Sequence, residues 1–389
     1  MVIVTVLLAL GLLGVVFTTA GSTSVAVANR QADATRSVML QARDALIGWS
    51  AARSTSLALP NARPGELPCP DMSNDGLEDG TCVAGAVGRI PWKTLGIPEP
   101  KDAAGETLWY AIAGPFRIWN VNGNPINSDT KGNITIYQGG TATVTTTEAV
   151  AVIFAPGLIL SGQARGTAAE QTNPANYLES AGGISNATPL LNAGAPSFIR
   201  EQPSTTFNDS LLVITTAELM TTVEKRVARE MLTLLQAYRN AGGNWCNCYP
   251  WADHSDGFSN DDNPWGRVPL RGSSTSNTPD WTDVGITTAT HPALDWLRNN
   301  EWWYVFFYAV SDSQSANHGG DTLTVDGVSG NAVVLITTGP AGAGRPYTGA
   351  WDENVHWSLY VDDSQNTDGG TNFQTPSSTA YARDRLYKL

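Results

Sequence analysis

MVIVTVLLALGLLGVVFTTA (Met1–Ala20) decides how the chain is read, because it is almost wholly apolar and no charge appears before Arg30. As a helix, about 20 apolar residues match the ~30 Å hydrocarbon layer of a bilayer. From Val25 the pattern becomes amphipathic, with Val25, Ala28, Ala32, Thr35, Met39, Ala42, Leu46 and Trp49 spaced three and four apart. Arg30, Asp33, Arg36, Arg43 and Asp44 fall off that stripe, and no proline interrupts it before Pro60. A continuous helix to Arg53 would be roughly 80 Å long at 1.5 Å per residue. That is far more than a compact domain needs, so a projecting helix is expected. A secretory signal ending at Thr18, Thr19, Ala20 is one reading, although no basic residue precedes its apolar run. A single membrane anchor with a stalk is a second, and a helix that packs among sister helices in a filament is the third and favoured one.

The rest of the composition narrows the choices. A chain of 389 residues is long enough for two or more domains, and 42% apolar residues suffice for sizeable cores. The net charge of -13, with no cluster of Lys and Arg, excludes nucleic acid as a partner. Only 15% of residues are charged while Gly, Thr, Ser and Asn abound, a balance common in exported β-rich proteins. The four cysteines form two close pairs, Cys69 with Cys82 and Cys246 with Cys248, which in an exported chain read as disulfides.

Taken in order, Pro60, Pro64, Pro68 and Pro70 end the helix and open an acidic loop bracketed by Cys69 and Cys82. Closing a loop of that size stabilises the fold by ~3 kcal/mol in the chain-entropy treatment. GRIPWKTLGI (Gly88–Ile97) follows, then strands at LWYAIAG (Leu108–Gly114), NITIYQ (Asn133–Gln138) and EAVAVIFAPG (Glu148–Gly157). The order then repeats. Thr215 and Glu218 make a capping box for a helix over 216–241, with Leu219, Met220, Val223, Val227, Met231, Leu234, Leu235 and Tyr238 along one face. A Cys-bearing acidic loop, GRVPL (Gly266–Leu270), EWWYVFFYAV (Glu301–Val310), DTLTVDG (Asp321–Gly327) and NAVVLITTGPAGAG (Asn331–Gly344) come next. NPANYLES and FNDSLLVI of the first half are answered by HWSLYVDD and YARDRLYKL of the second. An internal duplication is inferred, each copy being a helix packed on an antiparallel sheet.

The uncharged helix followed by LPCPDMSNDGLEDGTC, GRIPWKTLGI and LWYAIAG resembles the type IV pilin and type II secretion pseudopilin family, and VEKRVAREML resembles the helix opening a second unit in such proteins. The resemblance implies an α+β fold: a long N-terminal spine helix (1–55, with 1–20 as membrane or filament core) carrying two tandem pilin-like heads, 56–206 and 207–389. It also implies insertion in the inner membrane before assembly by pilus-type machinery, then homopolymerisation into an extracellular filament on a bacterial cell surface. Members usually carry a glutamate five residues into the mature helix, where this chain has Thr5. Met1, Thr5, Gly11 and Gly14 are the expected assembly positions, the glycines permitting close helix approach.

No catalytic constellation is present, and an enzyme is not expected. His254, His291, His318 and His356 are scattered and fit no nucleophile, zinc or phosphate-loop phrase. Asp71, Ser73, Asp75, Gly76, Leu77 and Asp79 follow the first half of a calcium loop, but Cys82 stands where the twelfth-position glutamate belongs, and Glu78 is the substitute. Calcium is thus the one candidate ligand, with a looser echo at Asp253, Ser255, Asp256, Asn260, Asp261 and Asp262. Cys246 and Cys248, one residue apart, bridge each other or another chain. Nine of the 13 tryptophans lie in the second half, from Trp245 to Trp357, as core or as a recognition surface. The leading expectation is a structural filament subunit. The alternative is a minor pseudopilin or membrane-anchored adhesin that binds a surface ligand through the Trp-rich half.

Overall fold

The computed structural model describes residues 25–53, 62–117, 125–139, 143–252, 264–270, 281–311, 322–339, 360–368, 370–376 and 384–389 with their side chains. Helix α1 is assigned over Val2–Ala52, and its side chains are described from Val25 onward. Among its described residues, those from Thr35 onward enter the core. Met39, Ala42, Leu46 and Ala51 are buried, whereas Val25 is 60% and Val27 52% exposed and every residue from 25 to 34 faces solvent. The amphipathic stripe is therefore used from Thr35 onward and left open before it. Among the described residues, the first side-chain tie from α1 to the body is the Thr35 hydroxyl, which accepts the Ala103 N–H at 3.1 Å.

The first sheet is built around β4 (Thr143–Ala155), whose last seven residues are all buried. Buried on both faces, these residues read as an unbroken apolar run. β1 (Val87–Arg89) pairs antiparallel with β2 (Trp109–Ile112), and β2 pairs antiparallel with β4. On β4 also lie β3 (Ile134–Gln138), through two register shifts, and the antiparallel β9 (Ser210–Thr215). β8 (Ala195–Arg200) joins β3 in parallel, and β7 (Leu191–Asn192) closes that edge. The seven strands curl into a half-barrel. β5 (Ser180–Ala181) and β6 (Ile184–Ser185) form a separate small hairpin.

Helix α4 (Thr216–Asn240), which follows the short helices α2 (Trp92–Leu95) and α3 (Ala168–Thr172), starts at the Thr215/Glu218 capping box, and the eight expected apolar residues are buried. It packs against α1, β4 and β9 on one hand and against β14 (Val333–Thr337) on the other. The second sheet runs β10 (Trp265–Arg267), β11 (Phe306–Val310), β14, β16 (Arg385–Lys388), all antiparallel. A third sheet holds β12 (Leu323–Val325) between β13 (Val328–Asn331), antiparallel, and β15 (Asn372–Phe373), parallel.

Two expectations are corrected here. The spine-plus-two-heads architecture is replaced by a mixed fold: one main hydrophobic core runs from Met39 through α4 to Phe373, and among the described strands two pairs are parallel. The physical reason lies in α4, whose apolar face is shared by both sheets, so neither half closes a core of its own. The transmembrane helix is the second correction: among the described residues no helix is long and apolar enough to cross a membrane, and the expected span itself, residues 1–20, lies outside the residues whose side chains are described. The described part of α1 carries Arg30, Asp33, Arg36, Arg43 and Asp44.

Repetition survives at the level of strand register. Val87, Gly88 and Arg89 face Ala111, Tyr110 and Trp109, while Trp265, Gly266 and Arg267 face Ala309, Tyr308 and Phe307. The run β1-β2-β4-β9 is thus echoed by β10-β11-β14-β16.

Candidate functional site

The acidic loop is held by its own carboxylates. Asp71, 2% exposed, accepts the backbone N–H of Asn74 at 2.6 Å, Asp75 at 3.2 Å and Gly76 at 2.7 Å, and the Ser73 hydroxyl at 3.3 Å. Asp79 accepts the N–H groups of Met72 and Ser73 at 2.5 and 3.0 Å, and Asp75 accepts that of Leu77 at 2.8 Å. The Lys93 ammonium donates to the Asp75 carbonyl oxygen. Gly76 has φ +86°, and a Cβ there would sit 2.8 Å from the Trp92 ring, so only glycine fits. Burial pushes the Glu78 carboxyl above its ordinary range, opposed by the nearby Arg53 charge. The fold thus brings Asp71, Ser73, Asp75 and Asp79 together, but aims the three carboxylates at backbone amides and the Ser73 hydroxyl at Asp71. Among the described residues no group of three or more His, Cys, Asp or Glu converges on a point where a metal would sit. The looser acidic echo, within 253–263, lies outside the described residues, as do His254, His318 and His356.

Both cysteine pairs are bridged, Cys69 to Cys82 and Cys246 to Cys248. The first closes the acidic loop, whose end is also held by Arg117, which donates to the Cys82 carbonyl. The second lies just beyond the C-terminus of α4. His291 is on the surface, its ring 3.1 Å from the Thr290 hydroxyl. Trp251, Trp281, Trp296, Trp302 and Trp303 are core residues, whereas Trp245 is 70% exposed. Trp351, Trp357 and Met1 lie outside the described residues, and Thr5, Gly11 and Gly14 lie in the part of α1 whose surroundings are not described.

Two features escaped sequence reasoning although the repeated phrases contain them. In GRIP and GRVP the arginine is a buried cation stacked on aromatic rings. Arg89 lies 5.0 Å from the Trp109 ring and 4.6 Å from Tyr177, and Arg267 lies 3.9 Å from Tyr304 and 5.7 Å from Tyr360. Tyr177 and Tyr360 come from the matching phrases NPANYLES and HWSLYVDD. The other feature is a buried carboxyl before each final strand. Asp209 accepts the Glu179 N–H at 2.9 Å, and Asp384 accepts those of Asp362 and Asp363 at 2.6 and 3.2 Å. Burial, then the charge of Glu179, pushes the Asp209 carboxyl well above the usual carboxylate range.

Beside α1, a cleft of about 230 Å³ opens between Gln31 and Thr35 on the helix and Asp102, Gly157, Leu158 and Asn208 on the body. Leu158 and Ile159 beside it are 70% and 54% exposed. No protein-family model, curated protein or solved structure matches this chain. No family match supports the expected pilin or pseudopilin membership, and the two-headed architecture it implied is not the fold observed.

Proposed function

We propose that the protein is a structural subunit that self-assembles through its amino-terminal helix into a linear extracellular homopolymer, with the β-rich body carried outside. The observation that carries this reading is the one-sided anchorage of α1: Met39, Ala42 and Leu46 are buried in the body while residues 25–34 are exposed all round. The sequence N-terminal to that stretch is apolar and uncharged. An apolar segment of that length is disfavoured in water at about 25 cal/mol per Å² of its surface, so its sequence favours burial against copies of itself. The alternative, ligand recognition through the tryptophans, is weakened because five of the second-half tryptophans are core residues.

The test compares the full chain with a variant lacking residues 1–24, by sedimentation and negative-stain electron microscopy. The full chain is expected to form extended polymers and the truncated one a monomer with an unchanged thermal midpoint. Polymers from the truncated chain, or a monomeric full chain, would overturn the reading.

A further inference from the structure

We propose that Cys246–Cys248 is a thiol–disulfide exchange site whose substrate is an accessible dithiol. The inference is independent of how the chain assembles.

Only Asn247 separates the two cysteines, whereas Cys69 and Cys82 are 13 residues apart. A cross-link over so short a segment restrains the unfolded chain much less, so the second bridge is poorly suited as a staple. Its two sulfurs are also unequally placed: Cys248 is 1% exposed, while Cys246 is only partly buried between exposed Trp245 and Asn247. Asn247 adopts φ +50°, which sets the tight turn.

Asn244 supplies the independent observation. It is 3% exposed, and its amide nitrogen donates to the carbonyl oxygens of Tyr238 at 2.9 Å, Arg239 at 3.4 Å and Cys248 at 2.8 Å. Three carbonyl partners fix which end of the amide is nitrogen. Its oxygen therefore faces the sulfurs, 3.1 Å from Cys246 Sγ and 3.8 Å from Cys248 Sγ. A disulfide has no hydrogen to donate to that oxygen, but a thiol does. The buried acceptor is thus matched to the reduced pair rather than to the bridge. The Arg239 guanidinium, which donates to the Asn247 carbonyl at 3.1 Å, places a positive charge beside the motif that favours thiolate.

In the exchange, a thiolate of the substrate attacks the accessible Cys246 Sγ. The Cys246–Cys248 bond breaks and Cys248 leaves as a thiolate that takes up a proton. The second substrate thiol then attacks its own sulfur in the mixed disulfide, releasing Cys246, which is protonated in turn. The substrate loses two electrons and two protons to become a disulfide, and the pair gains both.

The test titrates the oxidised full chain with dithiothreitol, traps thiols with iodoacetamide and reads each cysteine by peptide mass spectrometry. Cys246–Cys248 is expected to open at a concentration at least tenfold below that needed for Cys69–Cys82, and equal resistance of the two bridges would overturn the proposal. With oxidised glutathione, Cys248→Ser is expected to be glutathionylated on Cys246, whereas Cys246→Ser leaves Cys248 unmodified. The reverse selectivity would also overturn it. A double Cys246→Ser, Cys248→Ser variant is expected to keep its thermal midpoint; a loss as large as that of Cys69→Ser, Cys82→Ser would assign a purely structural bridge instead.

Discussion

At the scale of single residues, the buried pair formed by Glu179 and Asp209 couples stability to pH. Glu179 accepts the N–H groups of Asn208 and Asp209 at 2.9 and 3.1 Å and the Gln163 amide at 2.6 Å, while Asp209 accepts the Asn186 amide at 3.0 Å. Asp209 titrates above its ordinary range because burial and the Glu179 charge disfavour its ionised form. A carboxyl whose folded value is raised contributes stability that is complete below its unfolded value of about 3.9, and loses it as pH rises through the folded value. Asp209→Asn, neutral at every pH, is therefore expected to flatten the decline of the urea midpoint between mildly acidic and neutral solution. Parallel pH profiles for the two proteins would contradict this assignment. Nothing in FNDSLLVI announced the pair, because Glu179 lies 30 positions away and only the fold brings the two carboxyls together.

Among the elements, α1 combines two environments in one continuous helix. Leu46 is fully buried against the body, and truncating it to alanine is expected to cost about 2–5 kcal/mol in denaturant unfolding. Val25, 60% exposed on the same stripe, should change stability by less than about 0.5 kcal/mol when replaced by serine. If assembly uses the open part of the helix, Val25→Ser with Val27→Ser instead weakens polymerisation in a sedimentation assay. Helix α4 was more legible: its capping box and its 3.6-residue apolar period both act within one element, and both stand in the structure. What its sequence did not disclose was that one apolar face serves two sheets, since periodicity reports that a face is buried and not against what.

Across the whole molecule, polar groups as well as the core tie the two halves together. Arg63 donates to Glu66 at 3.2 Å and to the Asn300 side-chain oxygen at 2.7 Å, and Arg53 stands 3.6 Å from Glu66. Asn300 Oδ1 also accepts the Ile126 N–H at 3.0 Å, and its carbonyl accepts the Asn127 amide at 3.0 Å. Glu224, wholly buried on α4, receives Arg385 from β16 and the Thr337 hydroxyl from β14. Glu66→Ala would leave two largely buried guanidinium groups without their shared carboxylate, an expected loss of about 3–5 kcal/mol. With one core and these cross-links, calorimetry should record a single cooperative unfolding transition for both halves. Two separable peaks would show that the halves fold as independent units.

The sequence alone determined what is local: an uncharged apolar start, the amphipathic stripe of α1, the capped helix α4, the Cys69–Cys82 loop and the repeated order of strand phrases. These are legible because hydrophobic period, capping chemistry and turn residues act over a few positions along the chain. Only the tertiary structure decided that the repeats share a core, that β3 and β8 run parallel, that the acidic loop turns its carboxylates onto its own amides, and that Asn244 faces the second disulfide. Each of these depends on which distant surfaces meet, and that is settled by packing and by the pairing of buried polar groups across the fold.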